Sequence, residues 1–540
     1  MAQSRPSRSR RASSDPARRV ALDVLRAVSE RDAYANLLLP SLLSERGIVG
    51  RDAAFATELT YGTLRGRGTY DAILAVCSDR DKLDPAVRDV LRLGAHQLLA
   101  TRTGNHAAVS TSVDLVKEVC GPRPSGFVNA VLRRVASRDL ESWLAIIAPD
   151  RSADEIGHLA IRYSYPRWIV ESFRDALTAP ETSPGTEETL PAETEQALAA
   201  GNARPEVTLA ILPPSTPGLD APAPGLDAPA PELDAPAPGL DARAPGLDAP
   251  APDGPAPGGS PLVGPDLDVP DLGGLDLVGL DLGGMERTRW SPFGLRLAGG
   301  GDPTPLIGTG RAAAQDEASQ LVAIALAGAP LNLSPDGLWL DLCAGPGGKA
   351  RLLHHLAAER GARLVAGEVR PRRAAQVRDA LSRAVGGTAG VVVADGRRIP
   401  WGHGTFDRVL ADVPCSGLGS LRRRPEARWR KNPSDIPELA ALQRQLLTSA
   451  IESVRPGGVV AYVTCSPHVA ETQDVVTSVV SARTDVVILD APAILAEAAL
   501  SGAIRAGIPD LPTPRDKRFA QFWPHRHGTD AIFIALLRRE

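Results

Sequence analysis

Two of the five cysteines in this 540-residue chain occupy positions suited to chemistry. Cys415 lies within Asp412-Val-Pro-Cys-Ser-Gly-Leu-Gly419 and Cys465 within Thr464-Cys-Ser466, each just past an apolar run. A lone cysteine is more often a small buried hydrophobe. Two at the ends of neighbouring apolar runs, each in a turn bearing Pro or Ser, point instead to a thiolate nucleophile and a partner thiol. A third segment, Asp341-Leu-Cys-Ala-Gly-Pro-Gly-Gly-Lys349, begins at the end of another apolar run. Its glycines let a ligand approach the backbone, and the helix that should come next offers free N–H groups. A phosphate-cradling loop of the G-x-x-x-x-G-K-[ST] type is excluded, because Cys343 stands where its first Gly belongs and Ala350 where its Ser or Thr belongs. Glu368 and Asp395 end the next two apolar runs, where acids commonly take ribose hydroxyls and a base. Together these residues describe a site for a nucleoside-containing cofactor.

The elements that must position them are a set of strands alternating with helices. LWLDLC, ARLVAGEV, GVVVAD, FDRVLADVP and GVVAYVTC are strand candidates, and VVILDA and DAIFIALLRR complete the sheet. Apolar runs separated by helical stretches predict a doubly wound α/β domain, Rossmann-like, over 326–540, with ligands at the carboxyl ends of its strands. From 16 to 145 the apolar residues recur at three and four, which predicts an all-α domain. Arg18, Arg19, Arg65, Arg67, Arg133 and Arg134 are placed on its polar faces, as solvated charge or as contacts to a nucleic-acid backbone. Residues 146–211 and 285–325 lie between these two domains. Residues 1–15 read as a disordered basic tail.

Residues 212–284 are low-complexity, with GLDAPAP-like units starting at Gly218, Gly225, Glu232, Gly239 and Gly246. Without an aromatic residue, and with one or two Pro per unit, they read as a disordered acidic linker. They hold eleven Asp and Glu232 against Arg243, a net of −11, so the formal charge of −4 conceals +7 on the rest. The basic remainder suits a polyanionic partner. No run of 18 apolar residues predicts a membrane span, the first 20 residues lack an apolar core for secretion, and no C-x-x-C pair suggests a metal, so we expect a reducing, cytoplasmic setting and no bound metal.

The motifs CAGPGGK, DVPCSGLG, RRRPEARW from Arg422 and TCS resemble those of the RNA (cytosine-5-)methyltransferases of the bacterial Sun/Fmu family, as do QDEASQL from Gln315 and the C-terminal WPHRHGTDAIFIALLRR. RLGAHQLLA and FVNAVLRRV resemble the NusB-like RNA-binding domain that this family carries, and the resemblance implies that 146–211 and 285–325 form a small α+β connecting RNA-binding subdomain. The resemblance implies S-adenosylmethionine over Cys343, Ala344, Gly345, Pro346, Gly347, Gly348 and Lys349, with Glu368 on the ribose, Asp395 near the adenine and Asp412 by the methionine end or the target base. It implies Cys465 as the nucleophile at C6 of a cytosine, Cys415 as the group assisting product release, and Asp412 as a hydrogen-bond partner of N3. The implied partner is small-subunit 16S ribosomal RNA before assembly, bound by a monomer without membrane contact; transfer RNA and a non-catalytic NusB-like factor are the alternatives. Reaching C5 and C6 requires an unstacked base. Arg422, Arg423, Arg424, Arg428, Trp429, Arg430 and Lys431 suit RNA contact beside the site, as do Arg133 and Arg134; the other reading of the first cluster is a solvated basic edge with Trp429 in the core. Two departures stand out. Glu368 replaces the family's usual Asp, and Thr472 replaces the Asn that should come after Glu471. We also expect 202–211 and 290–297 to meet across the acidic insert.

Overall fold

The computed structural model describes residues 15–80, 82–179, 192–212, 285–297, 303–308, 310–332, 336–383 and 390–540. The basic tail and the acidic repeat lie outside the described residues, save for Asp15 and Leu212. The chain divides into two compact units, one from Met1–Glu171 with Leu421–Arg430 and one from Ser172–Ser420 with Lys431–Glu540.

Helices from Pro16–Arg31 to Glu155–Tyr163 build the first unit. Their starts obey capping rules: Asp15, Asp84, Asp139 and Asp154 each accept a first-turn backbone N–H, and Pro16 and Pro85 occupy the position where a missing N–H costs nothing. Their apolar stripes meet in one core that includes Val20, Leu59, Val90, Leu93, Val116 and Leu132. The stripe is wider than periodicity suggests. Arg18 is buried, donating to Gln97 Oε1 at 2.6 Å and lying 4.9 Å from the centre of the Phe55 ring. Arg133 and Arg134 are exposed, and Arg134 is spoken for by Asp79 at 3.0 Å.

The same unit takes in Leu421–Arg430, which alters the expectation for the RRRPEARW cluster. Arg428 is fully buried, with its guanidinium 3.7 Å from the centre of the Tyr165 ring and donating to Ser164 O at 3.2 Å and Tyr165 Oη at 2.9 Å. Arg430 donates to Ala33 O at 2.6 Å, Glu426 accepts from Ala35 N at 3.2 Å, and the half-buried Trp429 stands under Arg67 and against Gly68, where a Cβ would fall 2.5 Å from its ring. These side chains fasten a strap of chain inside the helical unit. Arg428, Trp429 and Arg430 are therefore internal anchors rather than an RNA-facing surface, and Arg422 is buried as well. Arg424 is exposed, and Arg423 and Lys431 are half-buried.

The second unit holds two sheets. In the smaller, β1 (Val207–Ile211), β2 (Met285–Arg287), β3 (Gly294–Leu297) and β4 (Ala312–Ala314) run in the order β2-β3-β1-β4. β1 and β3 pair antiparallel from Val207↔Leu297 to Ala210↔Gly294, so the two segments flanking the insert do meet. Leu212, placed in the linker from sequence, belongs to the core at 2% exposure.

The larger sheet is built from β5 (Leu338–Asp341), β6 (Arg363–Glu368), β7 (Gly390–Val393), β8 (Phe406–Asp412), β9 (Val454–Thr464), β10 (Val486–Leu489), β11 (Ala520–Gln521) and β12 (Phe533–Arg539). Its order is β7-β6-β5-β8-β9-β12-β10, with β11 alongside β12. β5 to β9 pair parallel, but β12 enters antiparallel between β9 and β10, so the sheet is mixed at this side. Parallel pairs need covered faces, which is why β8 and β9 read as unbroken apolar runs: Val409, Leu410, Val460, Ala461, Tyr462 and Val463 are all fully buried. The strand order reverses between β5 and β8. Their carboxyl ends flank the crevice where this architecture takes ligands.

Both the strap and the insert can be tested by stability. Arg428→Ala should destabilise the helical unit by about 3 kcal/mol in denaturant unfolding, because it strands buried carbonyls and empties a filled volume; a loss below about 0.5 kcal/mol would contradict the anchor. Replacing 213–284 by about twelve Gly/Ser residues should leave the melting temperature unchanged or slightly raised, since shortening such a loop recovers only about 0.6 kcal/mol per halving. A fall of several degrees would show instead that the repeat packs against the fold.

Candidate active site

The loop after β5 is shaped by contacts that only glycine permits. Gly347 has φ +111°, and a Cβ there would come within 2.7 Å of Ala380 Cβ. At Gly345 a Cβ would fall 2.0 Å from Glu368 Oε2, so the missing side chain is what allows the carboxylate at the end of β6 to lie against the loop. Glu368 is buried, accepts from Arg370 N at 2.9 Å and has Arg373 Nε at 3.5 Å; Arg373 also donates to Gly345 O. The helix Gly348–Ala358 then begins with no side-chain cap. That leaves first-turn N–H groups for a ligand. Asp395 lies beyond β7, fixed by Arg397, whose hydrogen bonds are the main cause of its lowered pKa.

Between β5 and β8 three titratable groups are in contention. Asp341 is 1% exposed and neither of its oxygens has a hydrogen-bond partner of good geometry. Burial first, and then the charge of Asp412, push its pKa up to about 8, so at neutral pH this carboxyl holds its proton most of the time. Lys349 reaches across from the glycine loop and donates to Asp412 Oδ2 at 2.7 Å. Burial works to lower the Lys349 pKa, but Asp412 outweighs it and the ammonium stays charged. Asp412 is thus oriented by a cation from β5's loop while retaining partial exposure, 27% of its side chain.

The two cysteines come together as their positions on adjacent strands require. Cys415 Sγ and Cys465 Sγ are 3.3 Å apart, and both residues are half-buried. Cys415 is pushed well above the ordinary thiol range, first by its hydrogen bond with Cys465, then by burial and by the charges of Cys465 and Glu471. These effects favour its protonated form. Two further contacts hold the turns. Gly419 N donates to Cys465 O at 2.8 Å and Ala531 N to Gly419 O at 2.9 Å; a Cβ on Gly419 would fall 1.8 Å from Ala531 O.

The sequence draws notice to Glu471 only through its neighbour Thr472, yet the Glu471 carboxylate joins both cysteine turns. It is fully buried and accepts from Ser416 N at 2.7 Å, Ser466 Oγ at 2.8 Å and Gln443 Nε2 at 3.1 Å, and from Ser416 Oγ. Tyr462 Oη donates to Glu471 O at 2.7 Å and Gln443 Nε2 also to Pro414 O at 2.9 Å. Gln443 and Tyr462 have no motif around them; a polar residue on the buried face of the helix Asp435–Ser453 is the one signal Gln443 gives. Thr472, in the place of the family's Asn, donates to His468 O at 3.0 Å and closes its own turn.

Residues 329–538 match the family described as 16S rRNA methyltransferase RsmB/F, and residues 15–137 match the NusB family. A putative methyltransferase of Mycobacterium tuberculosis is 44% identical over 534 residues, covering 98% of each chain. The probable ribosomal RNA small subunit methyltransferase B of Bacillus subtilis is 27% identical over 97% of this chain and 98% of its own. Among solved structures, the crystal structure of PH0851 has a similar fold, with a TM-score of 0.67 at 21% identity over 97% of this chain and 99% of that one. With its glycine loop and paired cysteines on a doubly wound sheet, and a relative this similar along its whole length, the protein belongs to the RsmB/F family of methyltransferases, with a NusB-family domain at its N-terminal side.

Proposed function

We propose that the protein methylates C5 of a cytosine in small-subunit 16S ribosomal RNA, with S-adenosylmethionine as donor, through a covalent bond between Cys465 and C6 of the base. The observation that carries this reading is the pair of thiols 3.3 Å apart at the carboxyl ends of adjacent strands, with Asp412 three residues before one of them. Relatives named as small subunit methyltransferases support the choice of RNA.

An aromatic carbon has no lone pair to offer a methyl group, so covalent addition must first supply electron density. Cys465, as thiolate, adds to C6 and C5 becomes nucleophilic. N3 of cytosine carries no hydrogen, so it takes up the proton given up by the Cys465 thiol as the adduct forms; Asp412, aligned by Lys349, accepts the hydrogen bond from the new N3–H and stabilises the adduct. Bound S-adenosylmethionine supplies an electrophilic methyl group to C5. Residues suited to hold it are the loop Cys343–Lys349, Glu368 for the ribose hydroxyls and Asp395 for the adenine; the first turn of Gly348–Ala358, which no side chain caps, and the Glu368 carboxylate seated against the loop at Gly345 fit a ligand that carries hydroxyls. The C5 proton then passes to water, its bonding pair re-forms the C5–C6 double bond, and Cys465 leaves and recovers its proton from N3; the Cys415 thiol, whose protonated form is favoured, assists by hydrogen bonding to the departing sulfur. Exposed Arg133 and Arg424, with the half-buried Lys431, are the members of the two basic groups best suited to phosphate contact.

Cys465→Ala should lower methyl transfer to unmodified 16S RNA by at least about a thousandfold, as loss of a covalent nucleophile does. Cys415→Ala should instead accumulate a protein–RNA adduct that survives denaturing electrophoresis. Methylation unaffected in Cys465→Ala would overturn the nucleophile assignment. Bisulfite sequencing of cellular RNA with and without the gene identifies the nucleotide, and a signal in transfer RNA alone would overturn the ribosomal substrate.

A further inference from the structure

We propose that Glu471 is a positioning residue that sets the spacing of the two reactive thiols, holding the turn of Cys415 through Ser416 and the turn of Cys465 through Ser466. Each serine comes immediately after its cysteine, so a displacement of either hydroxyl moves the adjoining Sγ. The carboxylate receives four hydrogen bonds at zero exposure, from a backbone N–H, two hydroxyls and a carboxamide, all of them neutral donors. Ser416 Oγ and Ser466 Oγ are themselves 3.0 Å apart, brought into contact by the one carboxylate oxygen to which both donate. Gln443 reinforces it by spanning Glu471 and Pro414 O, the residue before Cys415.

A bracket of this kind could in principle be built from any acceptor, and the charge identifies why a carboxylate serves. Four convergent donors fit an acceptor-only group, whereas a carboxamide must turn one N–H₂ towards them. A buried negative charge also disfavours a second one nearby, and Glu471 is among the groups that keep the Cys415 thiol protonated. The charged or titratable groups around Cys415 are Cys465 at the end of β9, Glu471 and Tyr462, with Asp412 and Lys349 on the facing loops and His468 beside Glu471. Of these, Glu471 is the one whose carboxylate bonds to both turns. Its catalytic importance rests on the methyl-transfer reading above; its effect on the thiols does not, and can be measured without RNA or cofactor.

The test uses the full chain with Glu471→Gln and Ser466→Ala, each first shown to melt cooperatively. Iodoacetamide modification of Cys415 is monitored by peptide mass spectrometry across pH 6 to 10, and affinity is measured for phenylarsine oxide, which bridges two nearby thiols with loss of water. Glu471→Gln should move the Cys415 profile to lower pH, with about tenfold faster modification for each unit moved. Both variants should bind the arsenical at least about tenfold more weakly, as expected when a preorganised pair loses its spacing. If Glu471→Gln fails to fold, the arsenical affinity of Ser466→Ala decides. Cooperatively folded variants with unchanged arsenical affinity and an unchanged Cys415 profile would overturn the proposal, and would do so whether or not the protein methylates cytosine.

Discussion

Two thiols stay within 3.3 Å of one another only where the backbone around them has no freedom to relax, and much of the second unit serves that constraint. β8 and β9 pair in parallel from Arg408↔Val459 to Asp412↔Val463, which brings their carboxyl ends side by side and delivers Cys415 and Cys465 to one edge of the crevice. β12 pairs with β9 up to Phe533↔Thr464, and Ala531, just before it, reaches Gly419. The last strand of the chain therefore braces both turns, which gives its antiparallel insertion a role in the site as well as in the sheet.

The electrostatics of the crevice arise from burying acids with too few cations. Asp341, Glu368 and Asp412 crowd the ends of neighbouring strands, with Lys349 among them. Lys349 goes to Asp412, leaving Asp341 enclosed and largely protonated at neutral pH. Asp412 and Glu368 are each already held by a basic side chain, so little reorganisation would be required to receive the polar groups of a ligand. Glu471, by contrast, accepts its hydrogen bonds entirely from neutral donors.

Most of the α/β domain was legible in the sequence, because strands buried on both faces appear as apolar runs and the acids and cysteines fall directly after them. The meeting of β1 and β3 was legible too, since both flank the low-complexity repeat and carry the apolar pattern it lacks. The arginine cluster was not. A run such as RRRPEARWR has the composition of a nucleic-acid surface, and nothing local reveals that Arg428 is swallowed by Tyr165 and the carbonyl of Ser164, more than 250 positions away. Arg18 misled for the same reason: periodicity assigns a face to a helix, while a long side chain can bury its stem and find a partner such as Gln97 within the core. Glu471 and Gln443 were hidden because their importance lies in convergence from separate elements, which spacing along one segment does not encode.

The proposed chemistry stands or falls on the covalent bond from Cys465, and a substrate that cannot complete the reaction gives the sharpest check of it. An RNA fragment containing 5-fluorocytosine offers no C5 proton to lose, so the enzyme should stall as an adduct in the presence of S-adenosylmethionine. Digestion and mass spectrometry should then place one methylated fluorocytosine on the peptide containing Cys465. The absence of any adduct, or its attachment to Cys415, would refute the bond.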